Sequence, residues 1–233
     1  MKTLLMIFIN IIFSFAFAEQ RKALIYDIGK TQGQHRFTQE STIEESKEGE
    51  RLWSSKIVDT TGKLLMTEKA TIKNGKIIYQ YIEQLQINES YELKVVDQKA
   101  TFITYKLSDN QKTLIESKTV DVNDNFVTGP LTELYLQSNW SPLTEGKTVH
   151  ADFGIFELSK AYGFQFKKKK ESEKAVEVVM KPSNFFIALF APSIDIKFDK
   201  KQKRMIHFKG PTPLREMVRG KWKPLAAEII YLL

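Results

Sequence analysis

The sequence predicts a mostly β protein, a single curved antiparallel sheet or an open half β-barrel of about 10–12 strands with one or two short helices. Apolar and polar residues alternate with period two along most of the chain, which is the pattern of half-buried strands. Turn residues interrupt these runs at intervals of about 8–12 residues, as in all-β domains. Hydrophobic residues make up 42% of the 233 residues, which is enough for a core and excludes collagen-like and disordered chains.

The strongest turn signal is Asn74-Gly75, because both residues tolerate the positive φ angles that a two-residue hairpin needs. It joins a strand over 64–72 to a second strand over 76–87. Alternation along the second strand predicts one apolar face and one polar face. The predicted apolar face comprises Ile77, Tyr79, Tyr81, Leu85 and Ile87, and the predicted polar face comprises Lys76, Gln80, Gln84 and Gln86.

The same alternation predicts strands further along the chain, and two segments interrupt it. Residues 129–136 carry apolar side chains at a spacing of three and four, which predicts a short helix. The very apolar segment 182–192 is bounded by prolines, and it predicts one or two helical turns. The polar stretch 167–174 is expected to be a turn. The further strands are expected around 91–95, 100–107, 113–122, 158–166, 176–180, 194–198 and 206–208.

The first eighteen residues are typical of a secretory signal peptide. A lysine precedes an apolar run that is too short to span a bilayer, and Ala16-Phe17-Ala18 matches the small-x-small pattern before a cleavage site. We therefore expect cleavage after Ala18, export, and a single β-rich domain over 19–233. The chain has no cysteine, so it has no thiol for a lipid anchor and can form no disulfide.

Charge is distributed unevenly along a chain whose net charge is +7. Residues 19–166 hold 18 Lys and Arg against 21 Asp and Glu, whereas residues 167–233 hold 16 against 7. Such a basic region indicates either contact with an anionic membrane or glycan surface, or only a solvated face. The candidate contacts are Lys167, Lys168, Lys169, Lys170, Lys200 and Lys201.

Motifs for enzyme chemistry are missing from the sequence. His35, His150 and His207 form no metal-binding pair, and no nucleophile elbow, phosphate-binding loop or dinucleotide fingerprint occurs. Carboxylate pairs such as Glu44-Glu45 lie in polar runs, where solvated surface is the better interpretation. We expect no catalytic residue, metal or cofactor, and no nucleic-acid partner.

Aromatic residues are abundant, with 16 Phe and 8 Tyr. A curved sheet with so many rings either packs a dry core or leaves a groove for an apolar ligand such as a lipid or a lipoprotein acyl chain. In the second case the expected lining residues are Tyr79, Tyr81, Phe164, Phe166, Phe185, Phe186 and Phe190.

Residues 191–210 carry a resemblance to a known group of proteins. An Ile-x-Phe-Asp hairpin at Ile196–Asp199 follows the apolar segment, and its return strand ends on Gly210. This arrangement resembles uncharacterised bacterial periplasmic β-rich proteins, some of them similar in fold to the LolA/LolB lipoprotein carriers. The resemblance implies an open β-barrel in the envelope of a Gram-negative bacterium, with an acyl-binding cavity under short helices.

The sequence therefore predicts a non-enzymatic periplasmic protein that binds an apolar or lipid-linked ligand and turns a basic face toward anionic envelope surfaces. An alternative is an envelope interaction or structural module with a dry core, and a less favoured one is a small outer-membrane β-barrel. The sequence leaves the ligand and the oligomeric state open.

Overall fold

A computed structural model of the protein describes residues 17–46, 49–108, 111–184 and 193–232. Within these ranges the chain forms fifteen strands. The first eight are β1 (Phe17–Asp27), β2 (Phe37–Glu45), β3 (Glu50–Asp59), β4 (Leu64–Lys73), β5 (Lys76–Gln84), β6 (Glu89–Val96), β7 (Lys99–Ser108) and β8 (Gln111–Asp121). The other seven are β9 (Phe126–Val127), β10 (Val149–Ile155), β11 (Lys160–Glu171), β12 (Ala175–Pro182), β13 (Ile194–Asp199), β14 (Met205–Val218) and β15 (Lys221–Leu232).

All fifteen strands belong to one open sheet, in the order β8-β7-β6-β5-β4-β3-β2-β1-β15-β14-β13-β12-β11-β10-β9. Strands β1–β8 and β9–β15 are thus two sequential meanders, joined where β1 pairs with β15. Neighbouring strands are antiparallel throughout, except that β9 pairs with β10 in parallel. The predicted fold class, a mostly β protein with an open curved sheet, is confirmed.

Two helices connect β9 to β10. Helix α1 (Gly129–Ser138) begins with Pro130 in its first turn, where the missing N–H costs no hydrogen bond, and α2 (Trp140–Thr144) follows directly. Leu131, Leu136 and Leu143 are buried in the same core as strands of both meanders, so the helices cover the concave face of the sheet. In the ranges listed above, no helix is both long enough and apolar enough to cross a membrane.

The predicted hairpin at Asn74-Gly75 is confirmed. Asn74 has φ 51° and Gly75 has φ 72°, so both adopt the left-handed conformation, and Lys73 pairs with Lys76 across the turn. The twist of such a turn matches that of the two flanking strands. It fixes the start of β5 beside the end of β4.

A bulge in β5 makes the face assignment of this strand wrong beyond its first residues. Thr71 pairs with Tyr79 but Ile72 pairs with Ile77, so β5 contains one extra residue there. Each shift by one residue exchanges the two faces of a strand. Gln80 and Gln84 therefore point to the interior, while Tyr79 and Tyr81 lie on the outer face.

Other details differ from the sequence prediction. The described chain has fifteen strands rather than about 10–12, because β1–β3, β14 and β15 lack clear alternation or contain proline. Lys167–Lys170 lie inside strand β11 rather than in a turn, which is confined to residues 172–174. Leu158 lies in a single 3-10 turn, Phe156–Leu158, rather than in a strand. The predicted helix around Phe185–Phe190 falls outside the described residues.

Candidate functional site

A cavity of about 940 Å³ lies between the concave face of the sheet and helix α1. Both meanders contribute to its wall, which is largely apolar. Its volume is in the range of ligand-binding cavities. Apolar lining residues include Ile25, Ile43, Ile57, Met66, Ile82, Phe153, Phe156, Phe164, Met180, Ile194, Ile196, Phe208, Leu214 and Ile229.

One end of the cavity, here called the floor, is lined by the irregular segment Pro211–Arg215 of β14. The pairing of β14 with β15 shifts in this segment, which frees backbone groups from the ladder. Two glutamines near the end of β5 bind those groups. Gln84 Nε2 donates to the carbonyl of Pro213 at 2.7 Å. Gln86 accepts from the Arg215 N–H at 2.9 Å and donates to its carbonyl at 2.8 Å.

The 3-10 turn completes the floor. Phe156 packs edge-on against Tyr91 and Phe102, with ring centroids 6.1 and 5.7 Å apart. The neighbouring Glu157 accepts from Arg215 Nη2 at 2.6 Å, and the Arg215 side chain is only 9% exposed. Ring contacts, amide hydrogen bonds and an ion pair thus connect distant parts of the chain at the floor.

The opposite end, here called the mouth, is ringed by ion pairs. Arg21 on β1 contacts Glu133 on α1 at 2.8 Å and Glu19 at 2.6 Å, and Arg204 contacts Glu19 at 2.9 Å. Glu133 also accepts from the backbone N–H of Met205 at 3.2 Å. These contacts tie α1 to both meanders at the edge of the cavity.

A smaller cavity of about 440 Å³ adjoins the mouth between α1 and the turns that begin β3 and β5. At this position Glu45 and Arg51 form a 3.4 Å ion pair, with side chains 45% and 35% exposed. The large cavity therefore reaches water at the mouth. The two cavities share Glu45, Arg51, Ile72, Leu134 and Gln137.

Glu68 on β4 is an acidic side chain in the apolar wall between floor and mouth. Gln80 Nε2 donates to its Oε1 at 2.6 Å, and Ser55 Oγ donates to its Oε2 at 3.5 Å. Part of its surface is accessible from the cavity, and the rest is covered by the protein. Burial therefore raises the pKa of Glu68 to about 7, although Gln80, Trp53 and Ser55 act to lower it.

Tyr231 on β15 lines the same part of the cavity. Burial raises the pKa of its hydroxyl, and the nearby carboxylates of Glu133 and Glu68 raise it further. Tyr231 is therefore a neutral hydrogen-bonding group throughout the physiological range. Across the described ranges, no group of three or more His, Cys, Asp and Glu side chains is arranged to hold a metal ion.

Of the aromatic residues predicted to line a ligand groove, only some lie near the cavity. Phe164 lines the cavity and contacts Phe153, with ring centroids 5.9 Å apart. Phe166 is fully buried in the core beside it and is not part of the cavity wall. Tyr79 and Tyr81 lie on the outer face because of the bulge in β5, and they do not line the cavity. Phe185, Phe186 and Phe190 fall outside the described residues.

Three of the six lysines predicted to contact anionic surfaces are engaged within the protein. Lys168 and Lys200 both contact Glu171, at 2.8 and 2.7 Å, and these bonds lower the pKa of Glu171 to about 2. Lys168 also donates to the carbonyl of Thr144. Lys169 contacts Asp195 at 2.9 Å. In the described part of the chain Lys167, Lys170 and Lys201 form no salt bridge, and all three are exposed.

Sequence reasoning missed Glu68, although the sequence contains a signal for it. Alternation along β4 places Glu68 on the same face as Met66, Ala70 and Ile72, which are all buried. An acidic residue at an inward position of an apolar strand face indicates either a polar network or a binding site. Glu133 and its contact to Arg21, 112 residues apart, had no comparable local signal.

No protein-family model matches the sequence, and no curated protein matches it. The chain is similar to a solved structure, the crystal structure of a beta-barrel-like protein of domain of unknown function DUF1849 from Brucella abortus. The similarity covers 92% of this chain and 94% of that chain, at 9% sequence identity and a TM-score of 0.41. So distant a likeness carries no argument about function, which has to come from the cavity itself.

Proposed function

We propose that the protein is an exported, non-enzymatic component of a bacterial envelope that binds an apolar or lipid-linked ligand inside its half-barrel. The observation that carries this proposal is the cavity of about 940 Å³ with a largely apolar wall. Burial of an acyl chain stabilises a complex by about 0.8 kcal/mol per methylene, so a chain of moderate length suffices for binding.

The two ends of the cavity give the ligand a direction. The floor is built from packed rings and from hydrogen bonds to Pro213 and Arg215. The mouth is polar and adjoins the smaller cavity that reaches water. An apolar tail therefore lies toward the floor, and a polar end group lies nearer the mouth.

The cavity favours this proposal over the alternative of an interaction module with a dry core. A basic face that contacts anionic membrane or glycan surfaces is a secondary part of the proposal. It depends mainly on Lys167, Lys170 and Lys201, since the other candidate lysines have acidic partners. The resemblance to the LolA/LolB carriers stays a prediction.

Export is proposed on the signal-like residues 1–18. Strand β1 begins at Phe17, and its first two residues pair with Glu45 and Glu44 of β2. Cleavage after Ala18 would shorten this strand by two residues and leave Glu19, with its contacts to Arg21 and Arg204, at the new terminus. Release by osmotic shock together with the intact mass of the mature chain tests the compartment and the cleavage site.

Binding is tested with a variant that fills the cavity. Ile43 lines the cavity, and its neighbour Thr42 lies on the outer face of the same strand. We expect Ile43→Trp to weaken binding of a fluorescent acyl probe at least about tenfold, because the larger ring occupies the space of the ligand. Thr42→Trp is the matched control and should bind normally.

Native mass spectrometry of protein from the producing cells gives an independent readout of the same proposal. Co-purified lipid in the wild type, reduced in Ile43→Trp, supports the proposal. A wild-type protein that carries no lipid and binds no acyl probe contradicts it.

A further inference from the structure

We propose that the ligand carries a protonated amine, which Glu68 recognises inside the cavity through an ion pair. This inference rests on the proposed function, because it names the polar group of the ligand that the cavity holds. It follows from the distribution of charge along the cavity wall and from the surroundings of Glu68.

Glu68 differs from the other acidic residues that line the cavity. Each of those has an arginine within ion-pairing distance, so its charge is already neutralised. Among the described lining residues, Glu68 alone has only neutral partners. The neutralised pairs are Glu19 and Glu133 with Arg21, Glu19 with Arg204, Glu45 with Arg51, and Glu157 with Arg215.

The neutral partners of Glu68 leave part of its carboxylate available. A carboxylate offers about four acceptor positions. Gln80 occupies one at 2.6 Å, Ser55 makes a long contact of 3.5 Å, and the Trp53 indole N–H also acts on the carboxyl. These three residues lie on the neighbouring strands β3 and β5, and Glu68 lines the cavity, so an acceptor position remains for a group inside it.

The energetics of a buried carboxylate favour a cationic ligand. An ionised group without a counter-ion in an apolar site is costly, and this cost accounts for the pKa of about 7. A ligand ammonium would supply the missing charge and a charge-assisted hydrogen bond. A ligand carboxylate would bring a second negative charge to the same place, and a hydroxyl would supply only a neutral hydrogen bond.

The other titratable groups near Glu68 do not supply this charge. Tyr231 from β15 remains neutral. Beyond it, Arg21 from β1 and Glu133 from α1 neutralise each other. An amine bound at Glu68 therefore encounters no competing cation in this part of the cavity.

Three probes with the same tail and different end groups test the inference: dodecylamine, dodecanol and dodecanoate, each below its micellar concentration. At about pH 8 Glu68 is largely ionised and an alkylamine, like lysine, is protonated. We expect dodecylamine to bind at least about tenfold more tightly than dodecanol, and dodecanoate to bind most weakly.

The variant Glu68→Gln removes the charge and nearly preserves the shape. It should weaken dodecylamine binding at least about tenfold while dodecanol affinity changes less than about twofold. Glu83→Gln is the matched control, because Glu83 lies on the outer face of β5, where it accepts from Tyr81 Oη at 2.9 Å. This control should leave all three affinities unchanged.

A second measurement needs no variant. Dodecylamine affinity of the wild type should rise at least about fivefold between about pH 5.5 and pH 8, as Glu68 ionises, while dodecanol affinity stays flat. Dodecylamine that binds no more tightly than dodecanol, or with no dependence on pH or on Glu68, overturns the inference. In that case dodecanol binding that Ile43→Trp abolishes still supports the proposed function, whereas no binding of any probe overturns both.

Discussion

The floor and the mouth of the cavity are both held by polar contacts between distant parts of the chain, but the mouth also includes an exposed ion pair. At the floor, the Arg215 side chain is 9% exposed and the two hydrogen bonds of Gln86 are partly buried. At the mouth, Glu45 and Arg51 are 45% and 35% exposed, and Gln137 donates one partly buried bond to Glu133 and one exposed bond to Lys203. Polar contacts of the buried Arg215 are costly to lose, whereas the exposed Glu45–Arg51 pair can exchange with water.

This difference indicates that the two ends of the cavity have different roles. An end held by buried contacts would limit the depth to which the proposed ligand enters. An end whose contacts exchange with water can rearrange around an entering molecule. Glu68 lies between the two, in a wall that is largely apolar.

The largest expected effect is the difference in stability loss between two glutamine substitutions, one at the floor and one at the mouth. We expect Gln86→Ala to lower the free energy of unfolding by about 4 kcal/mol, since the buried N–H and C=O of Arg215 each lose a partner at about 2 kcal/mol. Gln137→Ala also removes two hydrogen bonds, to Lys203 and Glu133, but should cost less than about 1 kcal/mol. Urea unfolding of both variants measures the contrast, and equal losses would show that the two ends do not differ.

The second largest effect expected is a dependence of folding stability on pH, caused by Glu68. Burial raises its pKa from 4.5 to about 7 in the folded protein. Between these values the folded state holds a proton that the unfolded chain has released, so stability should fall as pH rises, by up to about 3 kcal/mol. The variant Glu68→Gln has no carboxyl to titrate at this position, so its stability should fall less as the pH rises.

Urea unfolding of wild type and Glu68→Gln between about pH 4.5 and pH 8 checks this prediction. The gain in stability of the variant over the wild type should grow with pH across the window. Glu83→Gln should follow the wild-type profile. Parallel profiles for wild type and Glu68→Gln would mean that Glu68 is hydrated and not shielded.

The smallest effect is expected for the exposed ion pair at the mouth. Arg51→Ala breaks the 3.4 Å contact with Glu45 and should cost less than about 0.5 kcal/mol, because water and salt screen exposed charges. The cost should vanish in high salt. A loss of more than about 2 kcal/mol in thermal or urea unfolding would indicate that the mouth is as rigid as the floor.

Local patterns in the sequence were sufficient for the fold class and for several elements. The Asn74-Gly75 turn, helix α1 and the alternation of Val176, Val178 and Met180 all follow from interactions within a few residues. The structure confirms each of them. Strands with polar inward residues were missed, because Gln39 and Ser41 on β2 remove the contrast between its two faces.

The candidate site was less predictable because it depends on contacts distant in sequence. The bulge in β5 moves Tyr79 and Tyr81 from the predicted inner face of the strand to its outer face. Nothing in the local alternation marks the extra residue. The floor depends on contacts between Gln84 or Gln86 and β14, 129 residues away. Glu68 is the exception, since its inward position can be read from the alternation of β4.

The pairing of β1 with β15 has a consequence for the folding of the newly synthesised chain. Lys22 lies opposite Leu232, so residues more than two hundred positions apart must meet before the sheet is continuous. Contacts of such long range slow folding, because a large loop must close before they form. A chain that folds slowly stays unfolded for longer, and an unfolded chain is what the proposed export through a narrow translocation channel would require.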